Sequence, residues 1–149
     1  MRAKQPIGDQ EAGRDEVILL VDDEAIVRRL VSEMLKTEGY SVIEAKNGLE
    51  ALEFVNRLAS PIHLMLTDII MPQMDGSELA WKTTQLRPTT RILFMSGYAN
   101  DSSITKVTAL GGQCICKPFC VPELRKIIRE MLDSPWKGLQ KTRIRRIGL

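Results

Sequence analysis

Polar side chains that could perform phosphoryl transfer stand directly after four short apolar runs of this 149-residue chain. Crowded carboxylates repel one another unless a cation or a proton relieves them, and Mg²⁺ prefers oxygen ligands. An aspartate is also a nucleophile toward phosphorus, and the transfer itself needs mainly positioning and charge neutralisation. The candidate residues are Asp22 and Asp23 after the first run, Asp68 after the third, Ser96 after the fourth and Lys117 after the fifth.

A single aspartate after a strand is more often a helix N-cap than a ligand. Asp23 alone could have that role, but two adjacent aspartates and a third after another strand are harder to explain as caps. The group therefore predicts a site that holds a divalent cation and accepts a phosphoryl group.

The elements that must position these residues alternate between strand and helix. Apolar runs at 17–21, 41–45, 63–67, 91–95 and 113–116 predict five strands. A helical pattern follows each run, the fourth from Asp101 to Leu110. Five strand–helix units predict an α/β protein, a doubly wound parallel sheet with helices on both faces. Ligands bind such sheets at the carboxyl ends of the strands, where the candidate residues stand.

Helix starts and faces are also readable in the sequence. Asn47 and Asp75 each precede an acid three residues on, the pattern of a capped helix start. The first helix carries two adjacent apolar rows, which predict its buried face. The rows are Ile26, Leu30 and Met34, and Val27, Val31 and Leu35.

Composition excludes several classes of protein. An apolar fraction of 44% with 27% charged residues is that of an ordinary globular protein, and no apolar run approaches the roughly 18–20 residues of a membrane span. The N-terminus does not resemble a secretory signal. Cys114, Cys116 and Cys120 are an odd, clustered set, which suits a reducing compartment and favours a cytoplasmic protein.

The formal net charge of +2 conceals an uneven distribution. Residues 134–149 carry five positive side chains and no acid, and residues 1–15 carry three of each sign, so 16–133 has a net charge of −3. We expect a linker at 1–15, one folded domain at 16–133, and a basic tail or linker at 134–149.

Four motifs in order resemble those of two-component response-regulator receiver domains of the chemotaxis-regulator type, over residues 16–133. They are Ile18-Leu-Leu-Val-Asp-Asp-Glu24, Leu66-Thr-Asp-Ile-Ile-Met-Pro-Gln-Met-Asp-Gly76, Phe94-Met-Ser-Gly-Tyr98 and Cys116-Lys-Pro-Phe119. The Met-Ser-Gly-Tyr motif further resembles receivers attached to hybrid histidine kinases. The resemblance implies a flavodoxin-like (βα)₅ three-layer sandwich with strand order 2-1-3-4-5.

The resemblance also implies a role for each site residue. Asp68 matches the phosphoacceptor, and Ser96 matches the hydroxyl that turns toward the phosphoryl group. Lys117 matches the lysine that pairs with the phosphate, and its bond to Pro118 matches a cis peptide. The implied Mg²⁺ ligands are Asp22, Asp23, Asp68 and the backbone carbonyl of Ile70.

Three positions bear on how such a switch operates. Cys114 stands where the family usually has a Tyr or Phe that swings inward, so an aromatic readout is not offered there. Tyr98 lies two residues past Ser96, and we expect it to affect the access of water to an acyl phosphate. Ile70 is apolar where many relatives are polar, and it also limits the positioning of water.

The expected function is that of a phosphorelay receiver that takes a phosphoryl group from a phosphohistidine onto Asp68 and switches its partner interactions. It is not an enzyme acting on other substrates; it catalyses only its own phosphorylation and dephosphorylation. The expected partner is a sensor histidine kinase or a histidine phosphotransfer protein. A homodimer could form through the face of the fourth helix, fifth strand and fifth helix.

The sequence is also compatible with other functions. The alternative is a receiver-like interaction module that binds partners without phosphorylation. Three thiols and the distant His63 do not make a zinc site, so we expect the cysteines to fill the core. A DNA-binding output domain needs more residues than follow position 133, and no membrane association is expected. The basic tail keeps a minor nucleic-acid alternative open.

Overall fold

The computed structural model describes residues 15–97 and 102–139, and these form five strands and five helices in strict alternation. The strands are β1 (Val17–Val21), β2 (Ser41–Ala45), β3 (Leu64–Asp68), β4 (Arg91–Ser96) and β5 (Gln113–Cys116). The helices are α1 (Ala25–Thr37), α2 (Gly48–Arg57), α3 (Gly76–Leu86), α4 (Ser102–Ala109) and α5 (Val121–Asp133).

The strands form one parallel sheet in the order β2-β1-β3-β4-β5, as the resemblance implies. β1, β3 and β4 are buried almost throughout, because helices cover both faces of the sheet centre. The edge strands β2 and β5 are partly exposed. In register, Val21 pairs with Thr67, Asp68 with Met95, and Ser96 with Cys116, so the four strand ends that carry the candidate residues meet at one edge.

Two hydrophobic clusters hold the helices against the sheet. One, the α1/α5 cluster, includes Val31 and Leu35 of α1 and Leu124 and Ile128 of α5. The other, the α2–α4 cluster, contains Ala51 and Val55 of α2, Leu79 and Ala80 of α3, and Val107 of α4. The predicted three-layer architecture is therefore confirmed.

The buried face of α1 is narrower than the sequence predicts. Val31 and Leu35 are buried, but Ile26 is 86% exposed and Leu30 is 63% exposed. The prediction that both apolar rows face the core is wrong for these two side chains. Met34, the last member of the same row, packs against the α1/α5 cluster, so the row leaves the core toward the start of α1, where Ile26 and Leu30 lie on the solvent side.

Both predicted helix caps are present. The side chain of Asn47 accepts a hydrogen bond from the Glu50 backbone N–H at 2.8 Å, and that of Asp75 accepts one from the Glu78 N–H at 2.9 Å. Each cap satisfies a backbone donor that the first turn leaves without a partner. The caps therefore fix where α2 and α3 begin.

Two arginines that sequence reasoning did not single out connect distant parts of the chain. The guanidinium of Arg87 donates to the carbonyl oxygens of Val55, Leu58 and Ser60, which end α2 and begin the following loop. Arg91, at the start of β4, donates to the carbonyls of Met131 and Ser134 at the end of α5. Because these contacts are far apart in sequence, only the folded chain shows them.

Several expectations lie outside the described residues, namely Tyr98, residues 1–14 of the predicted linker and residues 140–149 of the predicted tail. Residues 134–139 are described, and they lie against the domain: Trp136 packs on both clusters and Leu139 is buried. Within the described ranges, no helix has the length and apolar character needed to cross a membrane.

Candidate functional site

Three carboxylates converge at the carboxyl edge of the sheet. Asp22 and Asp23 follow β1 and Asp68 ends β3, and the two strands are neighbours. Carboxylate oxygens of all three residues lie within 4.8 Å of one another. Asp22 and Asp68 are buried, whereas Asp23 is exposed and leaves one side of the group open to solvent.

Lys117 reaches this group from the end of β5. Its Nζ lies 2.7 Å from Asp68 Oδ1 and 3.1 Å from Asp22 Oδ2. The backbone N–H of Lys117 donates to the Ser96 carbonyl at 2.7 Å, and this bond joins the ends of β4 and β5. The Lys117–Pro118 peptide is cis, as the resemblance implies.

The pocket at this edge contains most of the predicted residues. Asp23, Asp68, Ser96 and Lys117 line it, and Ile70 lies at its rim with 64% of its surface exposed. Ser96 is buried at the end of β4. The structure thus brings together all of the predicted site residues that fall within the described ranges except Cys114.

Burial and charge act in opposite directions on the site's ionisable groups. Burial, reinforced by a hydrogen bond with Asp22 and by its charge, raises the pKa of Asp68 to about 7, and the Lys117 ammonium only partly offsets this. Burial lowers the pKa of Lys117, but the carboxylates of Asp68 and Asp22 outweigh burial and raise it above its ordinary value. The positive charge of Lys117 is therefore not sufficient to offset the free energy of burying an ionised Asp68 beside Asp22.

Backbone contacts hold the carboxylates in place. Asp22 Oδ1 accepts a hydrogen bond from the Glu24 N–H at 2.9 Å, and its carbonyl accepts one from Arg28 Nη1 at 2.7 Å. Gly76 begins α3 directly beside β3, where a Cβ would lie 2.0 Å from the Asp68 carbonyl oxygen. Gly76 ends the second of the four motifs, but nothing in that motif indicates this close approach.

The structure contradicts the prediction that all three cysteines fill the core, and it does not test a role of Cys114 in switching. Cys116 and Cys120 are exposed, so the expectation that all three fill the core is wrong. Cys114 is partly buried, pairs in register with Phe94 and packs against the α2–α4 cluster, on β5 rather than in the pocket. His63 accepts a hydrogen bond from the Val17 N–H through Nδ1 at 2.9 Å, which is a structural role.

The donor set of the pocket fits Mg²⁺. Three carboxylates supply oxygen ligands in a small volume, one of them open to solvent, and Mg²⁺ usually takes one or two carboxylates and retains several waters. Within residues 15–97 and 102–139 the three thiols form no comparable group. The metal-binding groups of the site are therefore oxygen ligands.

Comparison with known proteins gives consistent matches. A family model described as response regulator receiver domain matches residues 18–129. The response regulator receiver protein CpdR of Brucella abortus is 37% identical over 119 residues, which cover 77% of this chain and 95% of that protein. The sensor kinase CckA of the same organism is 35% identical over 118 residues, which cover 78% of this chain but 12% of the kinase.

Solved structures agree with these matches. A CheY-like receiver domain protein from Methanospirillum hungatei is 32% identical with a TM-score of 0.72, covering 80% of this chain and 94% of that one. The response regulator TrrA from Thermotoga maritima, solved in complex with Mg²⁺ and BeF, is 28% identical with a TM-score of 0.69, covering 78% and 98%.

Proposed function

The chain belongs to the response-regulator receiver domain family, and on this basis we propose that it takes a phosphoryl group from a phosphohistidine onto Asp68. The observation that carries the proposal is the contact of Lys117 Nζ with Asp68 at 2.7 Å in a pocket that Asp23 and Ser96 also line, with the buried Asp22 carboxylate next to them. These residues supply a nucleophile, a cation, metal ligands and a hydroxyl at one place.

The transfer follows from this arrangement. A carboxylate oxygen of Asp68 forms a bond to phosphorus as the P–N bond of the phosphohistidine breaks, and the electron pair remains on the imidazole nitrogen. Lys117 is placed to transfer its ionic contact from the carboxylate to a phosphoryl oxygen. Ser96, at the end of the neighbouring strand, is placed to donate a hydrogen bond to another phosphoryl oxygen.

The metal ligands in this proposal are the carboxylates of Asp22, Asp23 and Asp68 and the backbone carbonyl of Ile70. Mg²⁺, when bound, neutralises the charge that develops on the phosphoryl oxygens. Asp22 is fixed by the Glu24 N–H and Lys117, which hold its oxygens toward the pocket. The exposed Ile70 side chain and Tyr98 are the residues we assign to limiting the access of water.

The phosphodonor is proposed to be a histidine kinase or a histidine phosphotransfer protein that docks on α1. Glu24 lines the pocket and α1 begins at the next residue, so the first turns of α1 lead away from the pocket. The exposed Ile26 and Leu30 stand four residues apart on the same side of these turns and line a shallow groove together, and such an apolar pair suits an apolar helix of the donor.

We further propose the domain bounds, the compartment and the output surface of the receiver. The folded receiver is placed at 16–133 with flanking segments at 1–15 and 134–149, and it catalyses only its own phosphorylation and dephosphorylation. The clustered cysteines favour the cytoplasm, where thiols stay reduced. Phosphorylation is proposed to act on the face formed by α4, β5 and α5, which would contact a partner or a second copy.

The experiment is incubation of the chain with acetyl phosphate and Mg²⁺, followed by intact mass measurement. We expect the mass of one phosphoryl group to be gained by the wild type and not by Asp68→Asn. Asp15→Asn, which changes an exposed aspartate before β1, is the matched control and should be labelled normally. An unlabelled wild type with both acetyl phosphate and a cognate kinase would show an interaction module that works without phosphorylation.

A further inference from the structure

The segment that follows α5 turns back onto the domain. Trp136 is half-buried and packs against both hydrophobic clusters, and Leu139 is 7% exposed within the α2–α4 cluster. α5 itself packs on the α1/α5 cluster, so the chain passes from one face of the sheet to the other between these residues. We call residues 134–139 the strap.

The strap crosses the edge of the sheet at the start of β5. Trp136 and Pro135 line a small pocket together with Gln113, the first residue of β5, and Met131 of α5. Arg91 donates to the carbonyls of Met131 and Ser134, which fixes the point where the strap leaves α5. The strap thus lies on part of the face formed by α4, β5 and α5.

Two features of the strap bear on how firmly it is held. The indole Nε1 of Trp136 is buried without a hydrogen-bond partner among the described residues, which costs free energy that a solvated indole would not lose. Gly138 has a φ of +77° and open space around it, so the turn that directs Leu139 inward depends on a glycine. Release of the strap would therefore hydrate the indole N–H and expose Leu139, without breaking a strand pairing of the sheet.

The strap is also positioned to sense the phosphorylation pocket. Leu139 shares its cluster with Val107 and Leu110 at the end of α4 and with Phe94 of β4, two residues before Ser96. A shift of α4 or of the end of β4 would therefore change the packing of the cluster to which Leu139 belongs. A packed cluster transmits such a shift because it has few alternative arrangements.

From these contacts we propose that the strap is an autoinhibitory element that covers the α4–β5–α5 face and is released when the pocket is phosphorylated. This rests on the proposed function, which supplies the phosphoryl group. Coupling between two sites is reciprocal, so releasing the strap must tighten the binding of a phosphoryl analogue at Asp68.

The first experiment uses Mg²⁺ and beryllofluoride as the phosphoryl analogue on the full chain carrying Trp81→Phe, so that Trp136 is the remaining tryptophan. We expect the Trp136 emission to shift to longer wavelength and to become more accessible to acrylamide when the analogue binds. Unchanged emission while calorimetry shows that the analogue binds would overturn the proposal but leave the proposed function intact. Absence of analogue binding would instead refute the proposed function and this inference with it.

The second experiment measures the reverse coupling with two release variants that act by unrelated means. Gly138→Val places a β-branched residue at a positive φ, and Leu139→Asp places a charge in an apolar cluster. Each should bind beryllofluoride about fivefold more tightly, the lower end of typical allosteric coupling. Lys137→Ala, an exposed position in the strap, should bind as the wild type does. Wild-type affinity in both release variants would contradict the proposal.

Discussion

The most consequential side chain is a carboxylate that the folded protein holds under unfavourable conditions. Asp68 is buried beside Asp22, and although Lys117 touches both, its pKa is raised to about 7. A carboxylate whose charge is incompletely compensated is stabilised by an added cation. In the proposed reaction, its conversion to an acyl phosphate moves the negative charge outward onto the phosphoryl oxygens. The unfavourable electrostatic environment of the Asp68 carboxylate is thus consistent with the proposed reaction.

The first prediction is a pH dependence of stability in the absence of Mg²⁺. Since the pKa of Asp68 is higher in the folded chain than its ordinary value of 3.8, the folded state binds more protons than the unfolded state between about pH 4 and pH 7. The free energy of unfolding should therefore fall as pH rises through this window, by between about 1 and 4 kcal/mol. Urea unfolding with a chelator at pH 4 and pH 8 measures it.

Asp68→Asn is the reference for this measurement, because all other titrating groups are retained. Its stability relative to the wild type should increase from pH 4 to pH 8. Parallel pH profiles for the two proteins would show that Asp68 is not strained, and the electrostatic account of the site would then be wrong.

Among the elements, the connection between β3 and α3 sets the position of Asp68, the proposed phosphoacceptor. Gly76 N–H donates to the Ile69 carbonyl at 2.6 Å, and Gln73 takes a φ of +72°, which few non-glycine residues adopt. Asp75 then caps α3. The loop therefore brings the start of α3 against the backbone of Asp68, which leaves no space for a side chain at Gly76.

We predict that Gly76→Ala destabilises the fold and weakens Mg²⁺ binding together. Its Cβ would lie 2.0 Å from the Asp68 carbonyl oxygen, so the backbone must move, at a cost of about 1–3 kcal/mol or more. Urea unfolding and Mg²⁺ titration by calorimetry measure the two effects. Gly97→Ala, at the end of β4 with open space around its Cβ, is the control and should change stability little. Equal effects of the two substitutions would contradict the proposed close approach.

Considering the molecule as a whole, the proposed function assigns two roles to the exposed surface. α1 presents apolar side chains to the proposed donor, and the start of β5 and the end of α5 lie under the strap. Charge is also unevenly distributed along the chain. Residues 16–133 have a net charge of −3, and the last sixteen residues carry five positive side chains and no acid. The chain's net charge of +2 is thus no indication of nucleic-acid binding by the receiver.

We predict that Ile26→Asp impairs phosphotransfer from a phosphohistidine protein by about tenfold, as expected for losing one apolar contact at an interface. Labelling by acetyl phosphate, which needs no docking surface, should be unchanged. Leu86→Asp alters a similarly exposed leucine at the far end of α3 and should transfer normally. Equal transfer rates for the Ile26 variant and the wild type would show that the donor does not dock there.

Much of the architecture could be predicted because it is encoded locally. Strands such as 17–21 are buried on both faces, so each appears in the sequence as a continuous apolar run. The caps at Asn47 and Asp75 act within one helical turn. The alternation of these elements then dictates a parallel sheet. The site residues Asp22, Asp68 and Lys117 could be identified because each stands at a strand end, and parallel strands end at the same edge.

The order of elements, their types and the set of groups at the sheet edge could be read from the amino-acid sequence, since these depend on short-range periodicity and on motif. The folded chain was needed to show that Ile26 and Leu30 face outward, that Gly76 lies against the Asp68 backbone, and that Trp136 and Leu139 pack on the domain. Each of these depends on which surface lies opposite a residue across the fold. Contacts between segments so far apart in sequence leave no periodic signal, because they arise only when the whole chain is packed.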